Sequence, residues 1–243
     1  MGRLLDSVDP DIICLQEEYS SSVSAMQNQL NAIDPLDDGS TWNLWRNDDD
    51  VIASPYPLTP YLGGDGWSAA AVDTPGGAVF VVSVHPKCCG YAGNNDDNRR
   101  VMQMIDLAGA IADLRGGTLQ ADLAAFAGAP VIVTGDWNLV GSSVPLDVML
   151  DPSGPDLRQW ALRRLVSQRI TTWEAPSGLD FSPGRLDLLV YDRGALTPMN
   201  GYVLDTRELD AATLGELGVQ ANDSQGSDHF MLVADFAFTG ANP

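Results

Sequence analysis

Basic residues are scarce in this 243-residue sequence, and Lys87 is its only lysine. With 33 acidic residues against 13 basic ones, the net charge at neutral pH is −20. Proteins that bind nucleic acid without sequence preference usually present a basic face, because neutralising phosphates releases counterions. The charge therefore opposes a broad nucleic-acid-binding face. It favours a small or singly phosphorylated ligand, or a surface adapted to high salt or to an extracellular setting.

Cysteine is also rare, and the three cysteines form neither a disulfide framework nor a set of spaced zinc ligands. Cys14 lies in an apolar run, which predicts a small core residue. The adjacent pair Cys88 and Cys89 leaves three interpretations open: a loop feature, a redox-sensitive site or a vicinal disulfide.

Long apolar runs are absent, and none approaches the roughly 18 to 20 residues that a membrane-spanning helix needs. Residues 1–9 also lack the basic-then-apolar layout of a secretory signal. Hydrophobic residues make up 44% of the composition, and no repeat or long linker divides the chain. We expect one soluble domain over residues 1–243, with a monomer as the simplest state.

Short apolar runs alternate with polar turns and with stretches of helical spacing. The apolar runs predict strands at residues 11–16, 42–46, 51–54, 67–73, 78–85, 130–134, 186–191, 202–204 and 230–238. Helical spacing predicts helices at residues 22–33, 99–114 and 157–166. This interleaving of hairpins and helices favours a mixed α/β or α+β sheet protein.

Polar residues with catalytic chemistry stand beside five of the predicted strands, where sheet proteins commonly place their ligands. Each is weak evidence alone, because Gly, Asp and Asn also suit ordinary turns. The only two histidines of the chain both fall at these points. The candidates are Glu17, His85, Asp136, Asn138, Asp187, Asp228 and His229.

The order of these blocks along the chain resembles the endonuclease/exonuclease/phosphatase superfamily. The matching blocks lie at residues 11–17, 51–58, 83–85, 134–138, 185–189 and 226–230, and they cover nearly the whole chain. The resemblance implies an α/β fold, a four-layer α/β/β/α sandwich with two packed mixed β-sheets. The family usually begins with a strand that carries a metal-binding asparagine. This sequence reaches its first block at Asp11, so that strand is expected to be missing.

The resemblance also implies a metal site for Mg²⁺ or Mn²⁺. Glu17 is expected to bind the ion, and Asp228 to complete a metal position, since hard cations prefer carboxylate oxygens.

Five further residues take roles in phosphoryl chemistry by the same resemblance. Asp136 is expected to activate or orient the attacking water, and Asn138 to hold the phosphate in line. His85 is expected to contact the phosphate as a donor or an acid, and Asp187 to orient His229. Whether Asp136 or His229 is the base stays open.

Substrate contacts are expected from Arg99, Arg100 and Trp173. The arginines follow His85 closely in so acidic a chain and could bind a second phosphate or carboxylate. Alternatively they cap or pair on the following helix. Trp173 resembles a Thr-x-Trp segment of nuclease-like members and could stack on a base or sugar.

The leading hypothesis is a divalent-metal-dependent phosphodiesterase or nuclease whose partner is a nucleic acid or a small phosphodiester. The alternatives are a catalytically weak binding or scaffold member of the same fold and a small-molecule phosphomonoesterase.

Overall fold

The computed structural model describes residues 2–19, 21–154 and 156–239. In these ranges the strands are β1 (Ile13–Leu15), β2 (Asn43–Asn47), β3 (Asp50–Ser54), β4 (Leu58–Pro60), β5 (Trp67–Thr74), β6 (Gly77–Val84), β7 (Val131–Asp136), β8 (Leu157–Trp160), β9 (Asp187–Asp192), β10 (Leu196–Leu204) and β11 (Met231–Phe238). The helices are α1 (Gly2–Asp6), α2 (Val23–Ile33), α3 (Asn95–Arg115), α4 (Val144–Met149) and α5 (Ala211–Leu217).

The largest sheet has six strands in the order β4-β5-β6-β7-β9-β8. Strands β6 and β7 pair in parallel, and the other neighbours pair antiparallel. One face of this sheet packs on α3 and α4 through buried residues that include Val82, Val133, Leu107 and Ile111. The other face carries Val81, which packs against the second sheet layer.

The second sheet layer consists of two separate antiparallel pieces, β1-β3-β2 and β10-β11. Ile52 on β3 packs against the middle of the six-stranded sheet, while Phe230 before β11 packs near Tyr191 on β9. Among the described residues, neither β1 nor β11 has a partner strand on its other side. The short helix α1, and no strand, precedes β1 in that part of the chain.

Helices cover the outer face of both pieces of this second layer. Leu30 of α2 packs with Trp42 and with Ala53 of β3. Leu214 and Leu217 of α5 pack beside β10. The expected four-layer α/β/β/α arrangement is thereby confirmed, with its second sheet layer in two pieces. Every helix in the described ranges is too short or too polar to cross a membrane.

Local sequence signals explain where the main elements begin and end. Pro75 and Gly76 form the turn between β5 and β6, as their turn preference predicts. The side chain of Asn94 accepts a hydrogen bond from the backbone N–H of Asp97 and caps α3. That helix buries one apolar stripe at helical spacing, and it contains the predicted residues 99–114 but extends from Asn95 to Arg115.

The predicted helix over residues 157–166 is wrong. Residues 157–160 form the edge strand β8, in which Leu157 pairs with Asp192 and Trp160 with Leu189 of β9. Pairing with a neighbouring strand and burial of Leu157 override the helical spacing of the sequence. Strand β10 is also longer than predicted, because it pairs with nearly all of β11 across an irregularity near Pro198.

Candidate active site

The strand order brings the sequence candidates together at one end of the two sheet layers. Val84 pairs with Gly135 in the parallel β6–β7 ladder, so His85 and Asp136 follow side by side. Asp136 pairs in turn with Asp187 across the β7–β9 ladder. The sheet thus gathers side chains that are far apart in sequence.

Asp187 and His229 form a hydrogen-bonded pair. Nδ1 of His229 lies 2.9 Å from Oδ2 and 3.1 Å from Oδ1 of Asp187. Burial lowers the pKa of His229, but the hydrogen bond to Asp187 and the charges of Asp187, Asp136 and Asp228 raise it overall to about 9. Because this pKa lies above neutrality, the imidazole of His229 is cationic at pH 7.

His85 has a similar acidic partner that the sequence patterns did not identify. Its Nδ1 atom lies 2.5 Å from Oδ2 of the buried Asp49. Residues 47–50 are an acidic run between two predicted strands, which is typical of a turn. Asp49 could have been identified only from the antiparallel register of β1 and β3, in which Leu15 pairs with Val51. That register sets Asp49 beside the residues that follow β1, and its carbonyl accepts from Glu18 N–H.

Asp136 lies between the two imidazoles. Its Oδ2 atom is 3.8 Å from Nε2 of His85 and 3.9 Å from Nε2 of His229. Burial and the charge of Asp187 raise the pKa of Asp136 to about 6, against the opposing effects of His229, the Asn138 N–H and His85. The carboxylate is therefore ionised at neutral pH but more basic than an ordinary aspartate.

The backbone around Asp136 is shaped by Gly135 and Asn138. Gly135 has a φ of 134°, and a Cβ there would lie 2.3 Å from the carbonyl oxygen of Val84, so glycine is required. Asn138 has a φ of 49°, and its N–H donates to Oδ1 of Asp136 over 2.8 Å. Its side-chain amide donates to the carbonyl of Pro86 over 3.1 Å. Asn138 thus links the strand end that carries Asp136 to the loop that follows His85.

Glu17 presents the most accessible carboxylate of the site. Its side chain is 62% exposed, and Oε1 lies 3.8 Å from Nε2 of His85. Its φ of 63° is a left-handed conformation that glutamate rarely adopts, which turns the backbone sharply after β1. Glu17 therefore presents an exposed carboxylate beside the imidazole of His85.

A divalent cation at this site would be held mostly by water and substrate. Within the described residues, no group of three or more His, Cys, Asp or Glu side chains is arranged to hold a metal ion. Mg²⁺ is commonly bound by one or two carboxylates, with water and substrate phosphate completing its shell. Glu17 is suited to such a site by its exposure and oxygen donors.

Asp228 and Trp173 contact each other. The indole Nε1–H of Trp173 donates to Oδ2 of Asp228 over 2.9 Å, and the backbone of Trp173 pairs with His229. The predicted metal contact of Asp228 would have to use its other oxygen or replace this hydrogen bond. Trp173 is half-buried, and its predicted stacking contact with a substrate stays a prediction.

The two arginines after His85 differ from each other. Arg100 is fully buried and donates to the carbonyls of Lys87 and Cys89 and to Asp97. Its guanidinium therefore fixes the loop. This geometry disagrees with the predicted substrate contact of Arg100 and agrees with the alternative, in which the arginine pairs on the following helix. Arg99 is exposed and lies 3.2 Å from Asp65, so its predicted contact with substrate stays sterically open.

The three cysteines lie in two environments. Burial and the nearby charge of Asp50 raise the pKa of the Cys14 thiol to about 12, in keeping with a core residue. The sulfur atoms of Cys88 and Cys89 lie 2.6 Å apart without a disulfide, and Cys89 has a φ of 74°.

Asp50 is buried directly behind the site. Its Oδ1 atom accepts from the hydroxyl of Ser83 over 3.1 Å, and that hydroxyl accepts from the Gln16 amide over 2.7 Å. Its Oδ2 atom has no hydrogen-bond partner. Burial and the charge of Asp49 raise the pKa of Asp50 to about 8, so this carboxyl group is mostly protonated at neutral pH.

Several solved structures share this fold at low sequence identity. The 3′ phosphatase NExo from Neisseria, bound to a product DNA hairpin, is 18% identical with a TM-score of 0.59, over 93% of this chain and 89% of that one. TDP2 from D. rerio, in complex with a single-strand DNA product, is 18% identical with a TM-score of 0.56, over 94% and 86%. The catalytic domain of human Nocturnin, with a bound sulfate, is 20% identical with a TM-score of 0.57, over 95% and 82%.

A search of curated protein sequences finds no match to this chain. The sequence model of the Endonuclease/Exonuclease/phosphatase family, by contrast, matches residues 1–229. That match covers most of the chain and all the site residues described above, and it supports a phosphoester hydrolase in general terms. The chain belongs to the Endonuclease/Exonuclease/phosphatase family.

Proposed function

We propose that this protein is a divalent-metal-dependent phosphodiesterase or nuclease that hydrolyses a P–O bond by in-line attack of water. The observation that carries the proposal is the arrangement of Asp136 between His85 and His229. Each imidazole is held at Nδ1 by a carboxylate, and both Nε2 atoms face the same carboxylate oxygen at 3.8 and 3.9 Å. Paired oriented imidazoles around a base provide both donors and an acceptor for phosphoryl transfer.

The reaction we propose assigns the base to Asp136. With its pKa raised to about 9, His229 is protonated at neutral pH and cannot accept a proton from water. Asp136 takes a proton from water, and the water oxygen attacks phosphorus opposite the leaving oxygen. The bond from phosphorus to that oxygen breaks, and the leaving oxygen takes a proton from Nε2 of His85.

His229 and Asn138 hold the phosphoryl group in this proposal. The cationic His229 donates to a non-bridging oxygen, where negative charge develops in the transition state. Asn138 supplies a second polar group next to Asp136, at the strand end that its own hydrogen bonds fix.

A divalent metal is part of the proposal because enzymes of this family generally depend on one. Glu17 would hold it, and Asp228 is the second candidate ligand. Bound there, Mg²⁺ or Mn²⁺ would supply Lewis-acid polarisation of a phosphoryl oxygen and stabilisation of the leaving oxygen.

The substrate we favour is a short or single-stranded nucleic acid or a small phosphodiester. Two of the structural relatives hold DNA products, which supports a nucleic-acid substrate. The net charge of −20 opposes long-range attraction of a duplex, because repulsion of a polyanion lowers its affinity at low salt. The two observations together favour a ligand that contacts only the site and its rim.

Hydrolysis of bis-p-nitrophenyl phosphate and of p-nitrophenyl phosphate tests the proposal, each with Mg²⁺, Mn²⁺ or EDTA. We expect metal-dependent release of nitrophenol from the diester, abolished in His229→Ala and retained in Asp122→Asn, which alters an exposed carboxylate away from the site. Preference for the monoester would instead support a phosphomonoesterase. No turnover with any metal, from protein shown to be folded, would support a binding member of the family.

A further inference from the structure

Arg164 is a buried cation next to the site that the sequence patterns did not single out. Its side chain is 2% exposed, and it follows β8 at the end of the sheet that carries Asp187. Nη1 lies 2.7 Å from Oδ2 of Asp205, and Nη2 lies 2.7 Å from Oε1 of Glu174. Nε donates to the carbonyl of Thr171 over 3.1 Å, so every nitrogen of the guanidinium has a partner.

The guanidinium also packs against the residue that follows His229. Cζ of Arg164 lies 4.2 Å from the centroid of the Phe230 ring. Arg207, which pairs with Asp205 and Glu174, lies 4.9 Å from the same centroid. Arg164 thereby contacts Phe230, which lies between His229 and the start of β11.

The segment that Arg164 holds, residues 171–174, contacts the site at three places. Oγ1 of Thr172 accepts from the backbone N–H of Asp187 over 2.9 Å. The carbonyl of Thr172 accepts from the N–H of Phe230 over 2.8 Å. Glu174 N–H donates to the carbonyl of Asp228 over 2.9 Å, and the Trp173 indole donates to its carboxylate. This one segment therefore contacts Asp187 and the residues on both sides of His229.

We propose that Arg164 is a positioning residue for the Asp187–His229 pair, acting through residues 171–174 and Phe230. The inference rests on the proposed function for its effect on turnover, but its structural content is independent of activity. Burying a cation among the carboxylates of Glu174, Asp205 and Glu208 costs desolvation, and such pairs are often no more stabilising than apolar side chains of equal size. The benefit of this arrangement is geometric, because one planar group contacts three separate segments: residues 171–174, residues 205–208 and Phe230.

Arginine is required for this role because its planar guanidinium offers donors in fixed directions. Lysine places a single compact charge at the end of a flexible chain and cannot reach Thr171, Asp205 and Glu174 together. Replacing Glu174 with glutamine removes one charge of the network but keeps the shape, and Glu174 is 29% exposed, so folding should tolerate the change.

The test compares Glu174→Gln and Arg164→Lys with Arg115→Gln, which removes an arginine–aspartate pair at the other end of β9. Two quantities are measured on the folded fraction: kcat and KM for bis-p-nitrophenyl phosphate, and the NMR resonance of the His229 Nδ1–H proton. The chain has only two histidines, so a His85→Gln spectrum assigns the signal.

We expect kcat to fall about 10- to 100-fold in Arg164→Lys and less in Glu174→Gln, with KM changed less than about twofold, as displaced catalytic groups produce. The His229 Nδ1–H resonance should shift or broaden in both variants and stay unchanged in Arg115→Gln. An unchanged resonance in folded Glu174→Gln and Arg164→Lys would overturn the inference, even with a lower melting temperature. If wild type shows no turnover, the proposed function fails, and the resonance alone still decides the role of Arg164.

Discussion

Oδ2 of Asp136 lies 3.9 Å from Nε2 of His229, with the opposite nitrogen of that ring bonded to Asp187. The arrangement places a carboxylate of raised pKa beside an imidazole whose own pKa is raised to about 9. The charge of His229 favours ionised Asp136, and the charge of Asp136 favours cationic His229, so both groups are charged at neutral pH. The pair can therefore accept a proton at one atom and stabilise negative charge at another.

The pH dependence of kcat/KM should be bell-shaped, with an optimum between about pH 6 and pH 9. Asp136 must be ionised to accept a proton, so activity rises as pH passes its pKa of about 6. His229 must be cationic and His85 must carry the proton that it donates, so activity falls on the alkaline side no later than the His229 pKa of about 9. The apparent values belong to the coupled groups together. Rates on bis-p-nitrophenyl phosphate at fixed Mg²⁺ across this range provide the measurement.

Asp187→Asn supplies the control for the pH dependence of kcat/KM. Because Asp187 contributes the hydrogen bond and charge that raise the pKa of His229, its loss should move the alkaline limb to lower pH. An alkaline limb that stays in place in the variant would show that another group controls it.

Asp49→Asn should lower kcat about 10- to 100-fold, because misplacing a catalytic group by a small distance costs that much. Asp49 holds Nδ1 of His85, and asparagine cannot supply the same charge. Asp48→Asn is the matched control, since Asp48 is the exposed neighbour in the same turn. Equal activity in the two variants would show that Asp49 does not contribute to catalysis.

Glu17→Gln should raise the Mg²⁺ concentration needed for half-maximal activity by about tenfold or more. A neutral amide is a weaker ligand than a carboxylate for a hard cation. Glu18→Gln tests the adjacent acid, which accepts a hydrogen bond from Ser21 N–H that glutamine can retain. A Mg²⁺ titration of both variants measures the difference. Identical curves for wild type and Glu17→Gln would exclude Glu17 as a ligand.

Asp50 should make the protein less stable as pH rises from 5 to 8. Its pKa is raised to about 8 in the folded chain, so the folded state keeps a proton that the unfolded state has lost in this interval. The free energy of unfolding then falls by up to about 1.4 kcal/mol per pH unit. Urea denaturation of wild type and Asp50→Asn at each pH measures their free energies of unfolding. The variant should become more stable relative to wild type as the pH rises. Parallel pH dependences would contradict the raised pKa.

The strand ends and the order of the site residues could be predicted from the sequence. Glu17, His85, Asp136 and His229 each follow or precede an apolar run, and the structure brings them within a few ångströms of one another. Periodicity failed at residues 157–166, because an edge strand with one buried face can carry helical spacing by chance.

Residues that act through tertiary contacts could not be predicted in the same way. Asp49 lies in an acidic run that is typical of a turn, and only the β1–β3 register places it under His85. Arg164 contacts Asp205 across 41 positions of sequence, and no local pattern marks that pair. The burial of Arg100 likewise depends on how the loop after His85 folds back on α3.

The measurement that tests the central claim most directly is the rate of Asp136→Asn on bis-p-nitrophenyl phosphate with saturating Mg²⁺. Asparagine keeps the shape of the side chain and can still accept from Asn138 N–H, but it cannot take a proton from water. We predict a loss of about 10²- to 10⁴-fold relative to wild type, the range of general-base catalysis, with an unchanged melting profile. A variant that keeps more than about a tenth of wild-type activity would contradict the assignment of Asp136 as the base.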